Sequence, residues 1–300
     1  MINVDKKLIT ILGIILVLSA AYVIIQKAIL RQAPAPASFE AQRAFNDVAE
    51  QMALGPRTPG SAAHAEVIKY IQSELQSAGW KVTLQETTLQ DHPIQNILAF
   101  RNPATGPVTI LGAHYDSRLK ADRDADSFLA TLPVPGANDG ASGVAVLLEL
   151  ARVMPVSSSQ NVWLVFFDAE DQGDLPGWNW ILGSRAFVAG LTQPVKQAVI
   201  IDMIGDKNLN IYREKSSTPG LVDVLWSAAD NLGYAQYFIN SDKYSILDDH
   251  TPFLEAGIPA VNIIDFDYPY WHTAADLEDK VSPDSLKIVG DTLLAWLNTR

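Results

Sequence analysis

Four apolar runs of strand length, each breaking off in polar residues, constrain this chain more than any other feature. Val108–His114, Val162–Asp168, Ala198–Met203 and Ala260–Asp265 are nearly continuous stretches of aliphatic and aromatic residues. A strand with one solvated face alternates apolar and polar residues, whereas a strand covered on both faces does not. Helical patterns separate or follow these runs. Ser61–Ala78 places Ile68, Ile71 and Leu75 on one face with Gly79 as its stop, and Ala141–Met154, Pro219–Leu232 and Ser282–Leu297 read the same way. Lys81–Thr87 alternates like a half-exposed strand, and Ile94–Arg101 can pair with it. Buried strands spaced by helices predict an α/β fold: a mostly parallel central sheet flanked by helices.

The N-terminus makes a different demand. Residues 8–26 carry no charge and lie between Lys6–Lys7 and Lys27. At about 1.5 Å per residue the run reaches about 28 Å, close to the ~30 Å hydrocarbon thickness of a bilayer. It is longer than the ~7–15 residue core of a signal peptide. Residues 1–30 therefore read as a membrane anchor with residues 8–26 in the bilayer. The alternative is a signal cleaved within Ala33–Ser38, giving a secreted protein. Flanking lysines and arginines balance, so the short N-terminal side decides the orientation, with the large domain outside the cytoplasm. An Ala/Pro linker at 31–38 follows. No later break in composition and no internal repeat interrupts residues 39–300, which read as one domain.

Composition closes several options. A net charge of −12 rules against nucleic acid as a partner, since no excess of basic residues exists to replace phosphate counterions. The absence of cysteine excludes disulfides, thiolate nucleophiles and Cys-ligated metals. Imidazole chemistry must come from His64, His92, His114, His250 or His272.

Ligands of such sheets gather beyond the carboxyl ends of the strands. Here those ends carry His114-Tyr115-Asp116, Asp168-Ala169-Glu170-Asp171, Asp202-Met203-Ile204-Gly205, and Asp265 leading to Trp271-His272. Between the first two lies GANDGASG, residues 136–143, opening a helix. Each motif alone has an ordinary reading: a helix-start turn at Asp139, a hydrogen-bonded pair at His114 and Asp116, solvated surface at Glu170-Asp171, aromatic packing at His272. Together, in one order at equivalent strand ends, they crowd carboxylates that a cation reconciles. Asp, Glu and His without sulfur suit a catalytic zinc. His64 reads as a helix-face residue and His92 as a loop residue. The acidic loop at 122–126 reads as solvated, with a hard cation as its alternative.

The series GPRTPGSAAH, GAHYDS, GANDGASGVAVLLELAR, FFDAED, GSRAF, DMIG, DDHTPFLEAGIPAV and YWHTAADLEDKV resembles the family of zinc aminopeptidases and glutaminyl cyclases over roughly residues 55–297. That resemblance implies a mixed, mainly parallel sheet. It implies Asp139, Asp171 and His272 as zinc ligands, Glu170 as general base, and His114 with Asp202 as ligands of a second zinc in the aminopeptidase branch. Asp116 then orients His114. One zinc is expected in a cyclase and two in an aminopeptidase. Three features are similar to cyclases. Asp248-Asp249-His250 stands where aminopeptidases usually carry Ser-Asp-His, Trp271 directly precedes His272, and FFDAEDQGD is followed by Trp178 and Trp180. The implied activity converts N-terminal glutamine of peptides or proteins to pyroglutamate. Glu170, Asp202 and Asp248 handle protons and substrate, and Trp271 and Trp178 pack on it. Asn262 stands where animal cyclases carry a histidine.

Overall fold

A computed structural model describes residues 38–299 together with Ser19 and Tyr22. The strands are β1 (Lys81–Leu89), β2 (His92–Phe100), β3 (Val108–His114), β4 (Val162–Phe167), β5 (Val195–Asp202), β6 (Ile211–Arg213), β7 (Phe238–Asp242) and β8 (Ala260–Ile264). The helices are α1 (Ala41–Ala53), α2 (Ala62–Ser77), α3 (Ala141–Val153), α4 (Leu182–Ala189), α5 (Pro219–Asn231), α6 (Thr251–Glu255) and α7 (Pro283–Asn298). Ser38–Arg300 is one unit. The anchor predicted at residues 8–26 lies outside the described residues, apart from Ser19 and Tyr22. Among the described residues no helix is long and apolar enough to cross a membrane.

Six strands form the main sheet in the order β1-β2-β4-β3-β5-β8. The four apolar runs are its parallel part, with β3 pairing β4 and β5, and β5 pairing β8. The hairpin β1–β2 adds antiparallel to β4, so the sheet is mixed. Its turn is Gln90–Asp91, both with positive φ (52° and 66°), the backbone of a two-residue type I′ turn. His92 therefore begins a strand instead of sitting in a loop.

Both faces of the parallel part are covered, which is why its strands read as continuous apolar runs. On one face Val108, Ile110, Val165, Phe167, Ala198 and Ile200 pack with Phe187 of α4 and Phe253 of α6. Fully burying such a phenylalanine contributes about 1.5–3 kcal/mol. On the other face α3 presses close: a Cβ on Gly143 would stand 2.8 Å from both Ala113 Cβ and Ile201 O. Only glycine permits that approach. From Ala141 to Ala151 every residue of α3 is buried. Its buried Glu149 is neutralised by Arg43 of α1, with contacts of 2.6 and 2.7 Å.

The strand order positions the chemistry. β3 lies between β4 and β5: the connection after β3 runs to β4 on one side and the next crosses to β5 on the other, the reversal beyond which a crevice opens at the strand ends. His114 pairs with Phe167 and Asp202 with Ile264, which sets the ends of β3, β4, β5 and β8 side by side.

Candidate metal centre and active site

Each polar residue at this edge is placed by a local backbone device. Ala169, Met203 and His272 all adopt positive φ (47°, 46° and 56°), uncommon for residues with a side chain. The first two bend the chain sharply just past the ends of β4 and β5, and His272 does so in the segment after β8; such conformations persist where the surrounding structure imposes them. Gly140 (φ 98°) turns the chain from Asp139 into α3. Asp276 fixes that turn by accepting from Asn138 N at 2.9 Å and Asp139 N at 3.0 Å, and it also accepts from the Tyr268 hydroxyl.

Two clusters result. Asp139, Asp171 and His272 bring one ligand atom each within 4.8 Å of one another, and so do His114, Asp139 and Asp202. Asp139 belongs to both. His114 Nε2 lies 3.2 Å from Asp139 Oδ1 and 3.1 Å from Asp202 Oδ1. His272 Nε2 lies 2.7 Å from Asp171 Oδ1 and 3.9 Å from Asp139 Oδ2. All five side chains are buried. Asp139 Oδ2, Asp171 Oδ2 and His272 Nε2 have no hydrogen-bond partner, although they are enclosed. Three orphaned donor atoms of the zinc-binding kind, converging in one place, fit a cation.

Electrostatics gives the same reading. Burial, then the charge of Asp139, pushes Asp171 up to about 6. Burial pushes Asp202 up to about 7, helped by Asp248 and Asp139 and opposed by His114. Glu170 is driven well above the carboxylate range, by burial first and then by Asp171, Asp248 and Asp249. Against its own burial, the His114 hydrogen bond and charge hold Asp139 low. Negative charge is thus concentrated beyond what the protein's own cations balance.

Asp116 does more than face His114, from which its Oδ1 is 3.5 Å away. It accepts from Glu170 N (3.0 Å), Asp171 N (3.3 Å) and Gln172 Nε2 (2.9 Å), holding the segment that carries base and ligand. Arg118, also buried, donates to Asp171 O and Gly173 O at 2.9 Å and grips Asp122 through two 2.8 Å bonds. The acidic loop is exposed at Asp122 and Asp126, as expected of a solvated loop, while Asp124 accepts from Ala274 N.

A pocket of about 230 Å³ opens on the first cluster, lined by Glu170, Asp202 and Asp248 and walled by Trp180, Ile246, Phe266 and Trp271. That is below the ~300–1,000 Å³ of drug-sized pockets, and suits a single amino-acid residue. Trp271 stands 3.9 Å from His272 between ring centroids, and Trp180 stacks over the same imidazole at 5.8 Å. Trp178, expected at the substrate, does not line this pocket. It stacks on His92 at 3.5 Å, beside a separate cleft that His64 also lines. Trp180 lines the pocket instead, just before Ile181, which lies in the left-handed region and opens α4. His64 bonds Asp168 at 2.7 Å. Asp276, Arg118 and Gln172 carry no signal of their own in the sequence, and their roles follow from what the fold brings beside them.

Fold and site together are those of the zinc-dependent exopeptidase class. The chain belongs to peptidase family M28, which matches residues 96–297. A Zn-dependent exopeptidase from Parabacteroides distasonis superposes with a TM-score of 0.84 at 34% identity, covering 89% of this chain and 100% of that one. Tannerella forsythia glutaminyl cyclase gives 0.82 at 33%, covering 88% and 99%. The glutaminyl-peptide cyclotransferase of Boiga irregularis is 29% identical over 81% of this chain and 77% of its own length. An uncharacterized Escherichia coli protein, YfbL, is 38% identical, but the match spans 46% of this chain and 41% of that protein.

Proposed function

We propose that this chain is a zinc-dependent glutaminyl-peptide cyclotransferase: it closes the N-terminal glutamine of a peptide or protein onto its own side-chain amide, releasing ammonia and leaving pyroglutamate. The observation that carries the reading is the cluster Asp139–Asp171–His272 beside the buried Glu170, at the floor of a one-residue pocket. The likeness to solved bacterial cyclases supports it.

Nucleophile and electrophile already share one residue, so little entropy remains to be lost in bringing them together. Zinc, held by Asp139, Asp171 and His272, supplies Lewis-acid polarisation of the γ-carbonyl when bound. Glu170 does the proton work. Its carboxyl, raised by burial, takes a proton from the α-amine and returns it to the departing nitrogen. Neutralising an amine of pKa ~8 at pH 7 costs only about 1.4 kcal/mol, so one base suffices. Asp248 faces the pocket and accepts from the substrate amide nitrogen, and Asp202 lies beside it. Trp271 and Trp180 cover the methylenes and keep out a competing water.

The second cluster, His114–Asp139–Asp202, favours one alternative, a two-zinc aminopeptidase in which water is the nucleophile. A paired assay separates them. The purified protein, given a Gln-peptide amide and a Leu-peptide amide, is expected to yield pyroglutamate from the first and no free leucine from the second. Free leucine without pyroglutamate overturns the cyclase reading. Bound zinc near one per chain supports the cyclase, and near two supports the peptidase.

The same reading places residues 1–30 as a membrane anchor, with residues 8–26 in the lipid bilayer, 31–38 as spacer, and 39–300 as an extracytoplasmic catalytic domain. The uncharged run of residues 8–26 supports it. The full-length chain is expected in alkali-washed membranes and accessible to protease from outside. A shortened chain released to the soluble fraction counts against the anchor and for a cleaved leader.

A further inference from the structure

One wall of the pocket, Tyr244–Asp248, is a loop without regular structure, yet it carries a carboxylate into a group of like charges. Left to itself, such a loop relieves the repulsion by swinging Asp248 into water. What holds it lies behind, outside the pocket. Glu214, just past β6, is buried. Its carboxylate accepts from Ser216 N (3.0 Å), Ser217 N (2.8 Å) and both serine hydroxyls (2.8 Å at the nearest). Burial opposes the charge, but His250 and these donors bring the Glu214 carboxyl down to about 2.

Three routes run from this carboxylate to Asp248. Ile246 N, two residues before Asp248, donates to Glu214 Oε1 at 3.1 Å. His250 Nε2, two residues after, pairs with Glu214 Oε2 at 3.2 Å. The Ser217 hydroxyl, while donating to Glu214, accepts from Asn262 N at 3.0 Å, and the Asn262 amide donates to Asp248. Main-chain bonds Lys215 N to Tyr244 O (2.8 Å) and Lys243 N to Arg213 O (3.2 Å) fasten the start of the wall to the same segment.

We propose that Glu214, acting with His250, is the positioning residue that fixes Asp248 and the Tyr244–Asp248 wall for binding the N-terminal glutamine. This rests on the cyclase reading. The requirement is for a full carboxylate, because the main-chain N–H groups of Ser216, Ser217 and Ile246 and both serine hydroxyls present hydrogens to Glu214. A glutamine there has the same shape but turns an NH2 toward donors and leaves buried groups unsatisfied.

The test uses full-length Glu214→Gln with a Gln-peptide amide. KM is expected to rise about tenfold or more, the size of losing hydrogen bonds to a charged group, with a smaller fall in kcat and unchanged zinc content. His250→Gln should act in the same direction, and the double variant by less than the product of the two. A merely structural role instead lowers the folded fraction or Tm while leaving KM of the folded protein unchanged, and KM within twofold of wild type in Glu214→Gln overturns the proposal. If that variant does not fold, Ser217→Ala removes the Asn262 route alone. Raised KM there supports the proposal and unchanged KM overturns it. A wild-type protein that forms no pyroglutamate sinks the cyclase reading itself, before any variant is made.

Discussion

Glu170→Gln is expected to abolish cyclisation while leaving zinc in place. Glutamine keeps the size and the carbonyl oxygen of Glu170, and the main-chain bond from residue 170 to Asp116 is untouched. The first cluster, Asp139, Asp171 and His272, does not include Glu170, so metal content should match the wild type. What disappears is a proton acceptor lining the pocket beside Trp180 and Trp271. General acid–base catalysis contributes about 10²–10⁴ in rate. Turnover of a Gln-peptide amide, measured beside zinc content, checks this. Substantial activity in a zinc-loaded variant would show that some other group carries the proton.

Metal removal should have the second large effect, on stability as well as activity. Without a cation, Asp139 and Asp171 face each other inside the protein and part of their repulsion goes unbalanced. A tightly held ion stabilises the fold by about 4 kcal/mol at a thousand times its Kd. At about 2–4 °C per kcal/mol for a domain of this size, a strong chelator should lower Tm by on the order of 10 °C. Activity should vanish with it and return on adding zinc. Asp139→Asn should mimic the chelated state in both respects. A Tm and an activity indifferent to the chelator would mean that these three side chains hold no ion.

The parallel sheet was legible because its strands are covered on both faces. Val108–His114 has the boundaries expected, and Val162–Phe167 and Ala260–Ile264 fall within a residue of theirs. Helix α1 was not legible, since the face it buries contains Asp47 and Gln51 beside Ala44 and Val48, which breaks the apolar period. The hairpin turn Gln90–Asp91 lacks the glycine or asparagine that usually marks such a turn. β6, β7 and α6 are too short to show a period at all. Within the site, the residues at strand ends came together as expected because register fixes them. Trp178 did not, because the segment holding both tryptophans is irregular, and two residues of separation in such backbone says nothing about which side chain turns inward. Asp276, though inside the stretch YWHTAADLEDKV, and Glu214 take their roles from the groups that enclose them, which no spacing in the sequence shows.

Asp139 serves both cages at once. An ion drawn to one side of that carboxylate weakens its hold on the other, so occupancy of the two cannot be tuned independently. Since both sets of ligands are present in this chain, a shift between ring closure and hydrolysis would call for no new ligand, only for a different aromatic rim and loop bearing Asp248 above the same floor.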